Sequence, residues 1–212
     1  MRYLFCLLML TTFCFPQSAE DIAKKTEIKL RSLNSIQADF EQIYYSQTVS
    51  TPLREKGKFY FKKPNWMKWE YKDPEKKIFL HKEGLILFYI PEENQLIRNP
   101  ITEESQEIEI LSLLSGQKGL LDNYVVEFNS FPTENSRIVQ IKLLPKQEGE
   151  YSFILLEIDE KSLLIRRAIF FDWAGNKSEF CFSRIKTNVS FSHSVFELKI
   201  PPGVEIIEHK TN

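Results

Sequence analysis

The residue types that carry catalysis occur in this chain, but not in catalytic arrangements. His81, His193 and His209 are scattered without ligand spacing, and there is no G-x-S-x-G, C-x-x-C or H-E-x-x-H. Glu92-Glu93 and Glu103-Glu104 read as solvated loop charge. Asn176-Lys177-Ser178 and Asn188-Val189-Ser190 fit a glycosylation pattern that is short and common by chance. The sequence therefore implies no enzyme, no metal and no cofactor. Its one chemically pointed position is Lys63, inside GKFYFKKPNWMKWEYKDP, residues 57–74. Strand side chains alternate faces, so Phe59, Phe61, Met67, Trp69 and Tyr71 share one side, and Lys58, Lys62, Lys68 and Glu70 share the other. Tyr60 and Trp66 interrupt the charged side, and Lys63 falls on the apolar parity. An unpaired buried ammonium is expensive, so Lys63 is expected to reach a backbone carbonyl or a carboxylate, to snorkel to water, or to hold something that moves.

The chemistry that remains is sequestration of apolar matter. The chain has 17 Phe, 8 Tyr and 3 Trp, and rigid rings spread over one curved sheet enclose either a dry core or a lipid-sized cavity. A wall of rings collapses less readily than one of Leu and Met, which favours the cavity. By parity its lining is Phe59, Phe61, Met67, Trp69 and Tyr71. Extension along neighbouring strands adds Phe40, Ile78, Leu80, Leu87 and Tyr89. Each of these residue types serves equally well in plain core packing.

The elements that would position this lining are mostly strands. SIQADFEQIYYSQ, the two strands around the 62–65 turn, KKIFLHK, GLILFYIP and NQLIRN form a meander. YVVEFNS, RIVQIKLL, YSFILLEI, LLIRRAIFF, KSEFCFSRI and VFELKI follow, with a hairpin turn at Asp172–Asn176. Two stretches are helical. Residues 20–33 place Ile22, Ala23, Ile28, Leu30 and Leu33 among charged residues, as an amphipathic helix does. Residues 103–122 repeat Ile108, Leu111 and Leu114, with Ile110 and Leu113, before Gly116 and Gly119 interrupt them. A short leucine-rich, glycine-broken helix suits a lid, though a plain core helix has the same pattern. The fold class expected is mainly β, an unclosed antiparallel barrel of about eleven strands with helices over one mouth.

The N-terminus suggests export. Arg2 gives a minimal basic start, Tyr3–Phe15 is apolar but short for a span, and Ser18-Ala19 offers small residues for cleavage before Glu20. Residues 1–19 are read as a cleaved signal peptide and 20–212 as a single domain. Cys6 and Cys14 leave with the signal, so Cys181 has no partner for a disulfide. With 28 basic against 29 acidic residues, nothing points to nucleic acid.

Several of these motifs, in this order and spacing, carry a resemblance. They are the QADFEQ opening strand, GKFYFKKPNWMKWEY, the LFYIP strand, the EILSLLSG helix and the closing VFELKIPPGV. Over nearly the whole mature chain the sequence resembles the periplasmic outer-membrane lipoprotein carrier protein family, called LolA-like. The resemblance implies an open barrel with a helical lid over a cavity that shields lipoprotein acyl chains. It also implies a periplasmic monomer loaded by an inner-membrane ABC transporter and unloaded to an outer-membrane acceptor. Members of the family meet the transporter near the Pro64-Asn65 turn, which makes Met67 a mouth residue. At the basic position before Pro64 the family has an Arg that latches the lid, and this chain has Lys63, a flexible point charge in place of a five-donor fork. The lid is then expected at Lys63, Ile108, Leu111 and Leu114. Related half-barrels that carry or sense other lipids or glycolipids are the alternative.

Overall fold

The computed structural model describes residues 17–100, 112–129 and 136–208. Helix α1 (Ala19–Ser32) leads into β1 (Ser35–Tyr45), β2 (Leu53–Lys62), β3 (Trp66–Asp73), β4 (Lys77–Lys82), β5 (Leu85–Ile90) and β6 (Gln95–Pro100). Residues 112–115 are helical, and Leu120–Asn123 makes one further turn. Next come β7 (Tyr124–Phe128), β8 (Ile138–Pro145), β9 (Tyr151–Asp159), β10 (Leu164–Asp172) and β11 (Lys177–Thr187). A 3-10 turn, His193–Phe196, precedes β12 (Glu205–Glu208). All twelve strands form one sheet, ordered β12-β6-β5-β4-β3-β2-β1-β11-β10-β9-β8-β7. β1 and β11 join the two meanders at its centre, and the outermost strands do not meet, so the barrel stays open.

The expectation of an all-antiparallel sheet needs one correction. β12 pairs with β6 in parallel. The VFELKI segment is also not a strand: it starts in the 3-10 turn, and the strand forms further on, at Glu205–Glu208. The alternating pattern of VFELKI arises because Phe196 is buried, 1 % exposed, in a chain that lies across the sheet rather than in it.

Local chemistry explains where α1 starts and which way it faces. The Ser18 hydroxyl accepts the Asp21 N–H at 3.1 Å and the Asp21 carboxylate accepts the Ser18 N–H, a reciprocal cap on the first turn. The signal cleavage expected after Ala19 falls within that turn. Ile22, Ala23, Thr26 and Leu30 are buried, and α1 lies against β7, β10 and the 120–123 turn. Ile28, expected on the buried stripe, is 60 % exposed on the opposite side, and Thr26 takes the inward place. Gly57 is set by close approach. A Cβ there would lie 2.1 Å from the Glu70 carbonyl oxygen and 2.8 Å from Phe40 Cε1, so only glycine lets β2 pass under the Phe40 ring.

Candidate functional site

One face of the sheet, the inner face, carries the main apolar cluster. Phe40, Phe59, Phe61, Met67 and Trp69 are buried in it together with Ile22, Ala23, Leu30 and Leu33 of the N-terminal segment and Leu113, Leu114 and Leu120 of the second helical stretch. Trp69 is the hub of its aromatic part. Its ring centroid lies 4.5 Å from Phe59, 4.8 Å from Phe40 and 5.4 Å from Phe180. Tyr71 stands at the edge of this group, edge-on to Phe40, and donates a hydrogen bond to Gln42 Oε1 at 2.7 Å. Beyond it the face turns polar, where Lys77 pairs with Glu55 and lies 4.6 Å above the Tyr71 ring. The greasy surface therefore has a defined polar end.

Four residues expected in the lining face the other way. β3 and β4 pair Trp69 with Phe79 and Met67 with His81, and β4 and β5 pair Phe79 with Phe88 and His81 with Ile86. This register puts Phe79, His81, Ile86 and Phe88 on the inner face, and Ile78, Leu80, Leu87 and Tyr89 on the outer one. Both parities of KIFLHK and LILFYI are apolar, so only the turn register distinguishes the faces, and a one-residue slip exchanges them.

Helices and sheet leave little room between them. Among the described residues, an apolar cavity of about 20 Å³, lined by Leu30, Ala38, Phe59, Leu114, Ile165 and Phe182, lies beneath the lid corner. That is about one water's worth of volume, far below a lipid's. At this corner, among the described residues, the helices' own side chains cover the apolar face. Ile108 and Leu111 lie outside the described residues. Leu114 is 7 % exposed and lines the residual cavity.

A polar clasp holds the two helical segments to the sheet corner. Lys63 Nζ donates to the Arg31 carbonyl in the last turn of α1, where free carbonyls and the helix dipole favour a cation. Of the options open to Lys63, this is a backbone carbonyl. Gln117 Nε2 donates to the Pro64 carbonyl at 2.6 Å, and Arg31 Nε donates to the Gly116 carbonyl at 2.7 Å. Glu27 serves both sides, bonding Arg31 Nη2 at 2.8 Å and accepting the Leu120 N–H at 2.8 Å. Gly116 permits the approach: its φ is +69°, and a Cβ would lie 2.9 Å from Leu30 Cβ. Sequence reasoning found Lys63 but missed Arg31, Glu27 and Gln117. The Glu27/Arg31 spacing of four was visible on the helix, but its partners come from a segment some 85 residues away.

Shifted ionisable groups lie on both faces. His81 is 3 % exposed on the inner face, and burial lowers its pKa, with the Asn65 backbone opposing the shift slightly. On the outer face burial pushes the Glu179 carboxyl up, and the hydrogen bond and charge of Arg167, at 2.8 Å, outweigh it and hold the carboxyl below its ordinary value. Burial, and then the Glu179 charge, raise the Cys181 thiol to about 11, so it stays protonated and unreactive at neutral pH.

The outer face has its own cover. Tyr60 and Trp66, the two rings that interrupt the charged parity, receive the chain after β11. Phe191 lies 5.9 Å from Tyr60, and Phe196 lies 5.6 Å from both Trp66 and Phe191. Leu80, Tyr89 and Leu96 are buried outside the inner cluster.

This is an open half-barrel that presents a continuous apolar face to a clasped helical cover. The chain belongs to the outer membrane lipoprotein carrier protein LolA family, whose model matches residues 31–199. Among relatives, it is 26% identical to the outer-membrane lipoprotein carrier protein of Methylococcus capsulatus, over 99% of this chain and 98% of that one. It is 29% identical to the Helicobacter hepaticus protein of the same name, over 84% and 85%. In fold it is similar to an uncharacterized conserved protein from Thermus thermophilus, with a TM-score of 0.58 and 12% identity over 90% of this chain and 99% of that one. Among the described residues, no helix is long and apolar enough to cross a membrane.

Proposed function

We propose that the protein is a periplasmic carrier that shields the acyl chains of lipoproteins on its inner face. The observation that carries this reading is the covering of that face by helical segments: Leu30, Leu113, Leu114 and Leu120 stand in one cluster with Phe59, Met67 and Trp69, and belong to segments hydrogen-bonded to one another and to the sheet at one corner. Burying a methylene contributes about 0.8 kcal/mol, so an acyl chain of about fifteen contributes roughly 12 kcal/mol. Exposing Ile22, Leu30, Leu33, Leu113, Leu114 and Leu120, at about 2 kcal/mol each, costs a similar quantity when an acyl chain displaces them. For a single acyl chain the exchange is near balance. A carrier needs this balance, because cargo that bound far more tightly than the lid would not be released.

In this reading residues 1–19 direct export and are removed, and 20–212 work as one domain. An inner-membrane ABC transporter supplies the energy of loading. It meets the Pro64-Asn65 corner, where Lys63 and Gln117 join sheet to lid and Met67 lies just inside. An outer-membrane acceptor takes the cargo down a gradient of affinity. No step is catalytic.

The test is to incubate the purified protein with a triacylated lipoprotein and follow the complex by size-exclusion chromatography. Wild type is expected to form a soluble one-to-one complex. Leu114→Glu puts a carboxylate under the lid and is expected to form none. Loading of Leu114→Glu to the wild-type level would refute the lid's role. Free lipid or glycolipid extracted from the protein, with no lipoprotein complex, would reassign the cargo.

A further inference from the structure

The lid end of the inner face contains a polar group that its apolar surroundings do not use. His81 sits in a cross-strand row with Met67 on β3, Ile86 on β5 and Asn99 on β6. Met67 is 1 % and Ile86 7 % exposed, both within the main cluster. Neither ring nitrogen of His81 has a hydrogen-bond partner among the described residues, although the Asn65 backbone is near enough to bear on its pKa. Asn99 Oδ1, two strands along the same row, is also buried and unpaired among the described residues. An unpaired donor or acceptor in a dry core destabilises the fold, and an apolar side chain of the same bulk would remove the penalty. Two such groups in one row mark a place where a partner belongs.

We infer that His81 and Asn99 form a subsite for the neutral carbonyl-bearing junction of an acylated ligand, the ester or amide group where a hydrocarbon tail joins its head. The inference rests on the carrier reading and specifies where the ligand's polar atoms go. A neutral imidazole offers one N–H donor and one acceptor nitrogen, and the Asn99 oxygen offers an acceptor. The imidazole N–H satisfies an ester carbonyl, and with the Asn99 oxygen it satisfies an amide, whose C=O and N–H are both met. They do not suit an anionic head, because the cations at this end are engaged elsewhere. Lys63 donates to the Arg31 carbonyl, and Lys82 lies 4.4 Å over the Trp66 ring on the outer face beside Glu83. Burial keeps the imidazole neutral, which favours the same choice. In the empty protein the pair is unsatisfied. In the loaded protein an ester restores a bond to the His81 N–H and an amide restores bonds to both residues, which favours acyl esters and amides over bare hydrocarbon.

The test compares two probes that differ only in that group: a dipalmitoylglyceryl peptide carrying a dye, and its dialkyl ether analogue, in which both ester carbonyls are absent. Wild type is expected to bind the ester about fivefold more tightly, the affinity of one ordinary hydrogen bond. His81→Leu is expected to bind both probes alike, with a melting temperature no lower than wild type. His81→Met gives the same reading should the leucine variant not fold. An ester preference that survives in these variants, or that wild type lacks, would overturn the subsite. Equal loss of both probes would also overturn it, since that marks a packing role. If wild type binds neither probe, the carrier reading fails and takes the subsite with it.

Discussion

The two faces of this sheet are covered by different physical means. On the outer face the C-terminal strap inserts Phe191 and Phe196 between Tyr60 and Trp66 and then joins the sheet itself, with β12 adding a strand to β6. On the inner face α1 and residues 112–123 add no strand. They rest side chains on the apolar face and are tied at one corner by Lys63, Arg31, Glu27 and Gln117. A cover that is hydrogen-bonded into the sheet comes away only with the sheet's own edge, whereas one that rests on it can part from the sheet without breaking a strand pairing. That difference separates a cover built into the sheet from one that rests on it, within a single fold.

The largest effect expected from disturbing the comparison lies on the outer side. Phe196→Ala should cost about 3–5 kcal/mol of stability in urea unfolding, as removing a buried phenylalanine does, and leave affinity for acylated ligand unchanged. An equal loss of ligand binding would erase the distinction between the faces. Next in size is the clasp. Arg31→Ala removes the bond to Gly116 and the pair with Glu27, and should release the lid by about 1–2 kcal/mol, read as increased binding of an apolar fluorescent dye. Lys63→Ala should move dye binding the same way by less, because Lys63 is exposed. A dye response to Phe196→Ala but not to Arg31→Ala would place the moving cover on the wrong face.

The smallest effect is a pH dependence. His81 has an ordinary pKa of 6.5, and burial lowers it in the folded chain. The folded state therefore binds fewer protons than the unfolded one. The contribution is complete above 6.5 and is lost as pH falls below it toward the folded pKa. Stability measured at pH 7.5 and 5.5 should fall for wild type, and the fall should be smaller for His81→Leu. An identical slope in the two proteins would mean that another group sets it.

The sequence made the frame legible because its strands alternate and its turns are marked. The 57–74 hairpin, with Phe59, Phe61, Met67, Trp69 and Tyr71 on one parity, lies in the sheet as that alternation requires. Legibility ended where alternation did. KIFLHK and LILFYI are apolar on both faces, so extension by parity places Ile78, Leu80, Leu87 and Tyr89 inward, whereas pairing turns them outward. Tyr60 and Trp66 looked like faults in a charged face because their partners, Phe191 and Phe196, are more than 120 residues distant in a segment with no strand of its own. The clasp was half visible for the same reason. Lys63 declared itself through parity, whereas Gly116 and Gln117 acquire meaning only when a distant loop is brought against α1.

The exchange of lid for cargo is tested most directly by hydrogen–deuterium exchange on the protein alone and in a soluble complex with a triacylated lipopeptide. Loading should strip protection from residues 20–33 and 112–123 while leaving 191–208 as slow as before. Unchanged or increased protection of α1 in a demonstrably loaded complex would contradict the claim that these helices occupy the cargo's place.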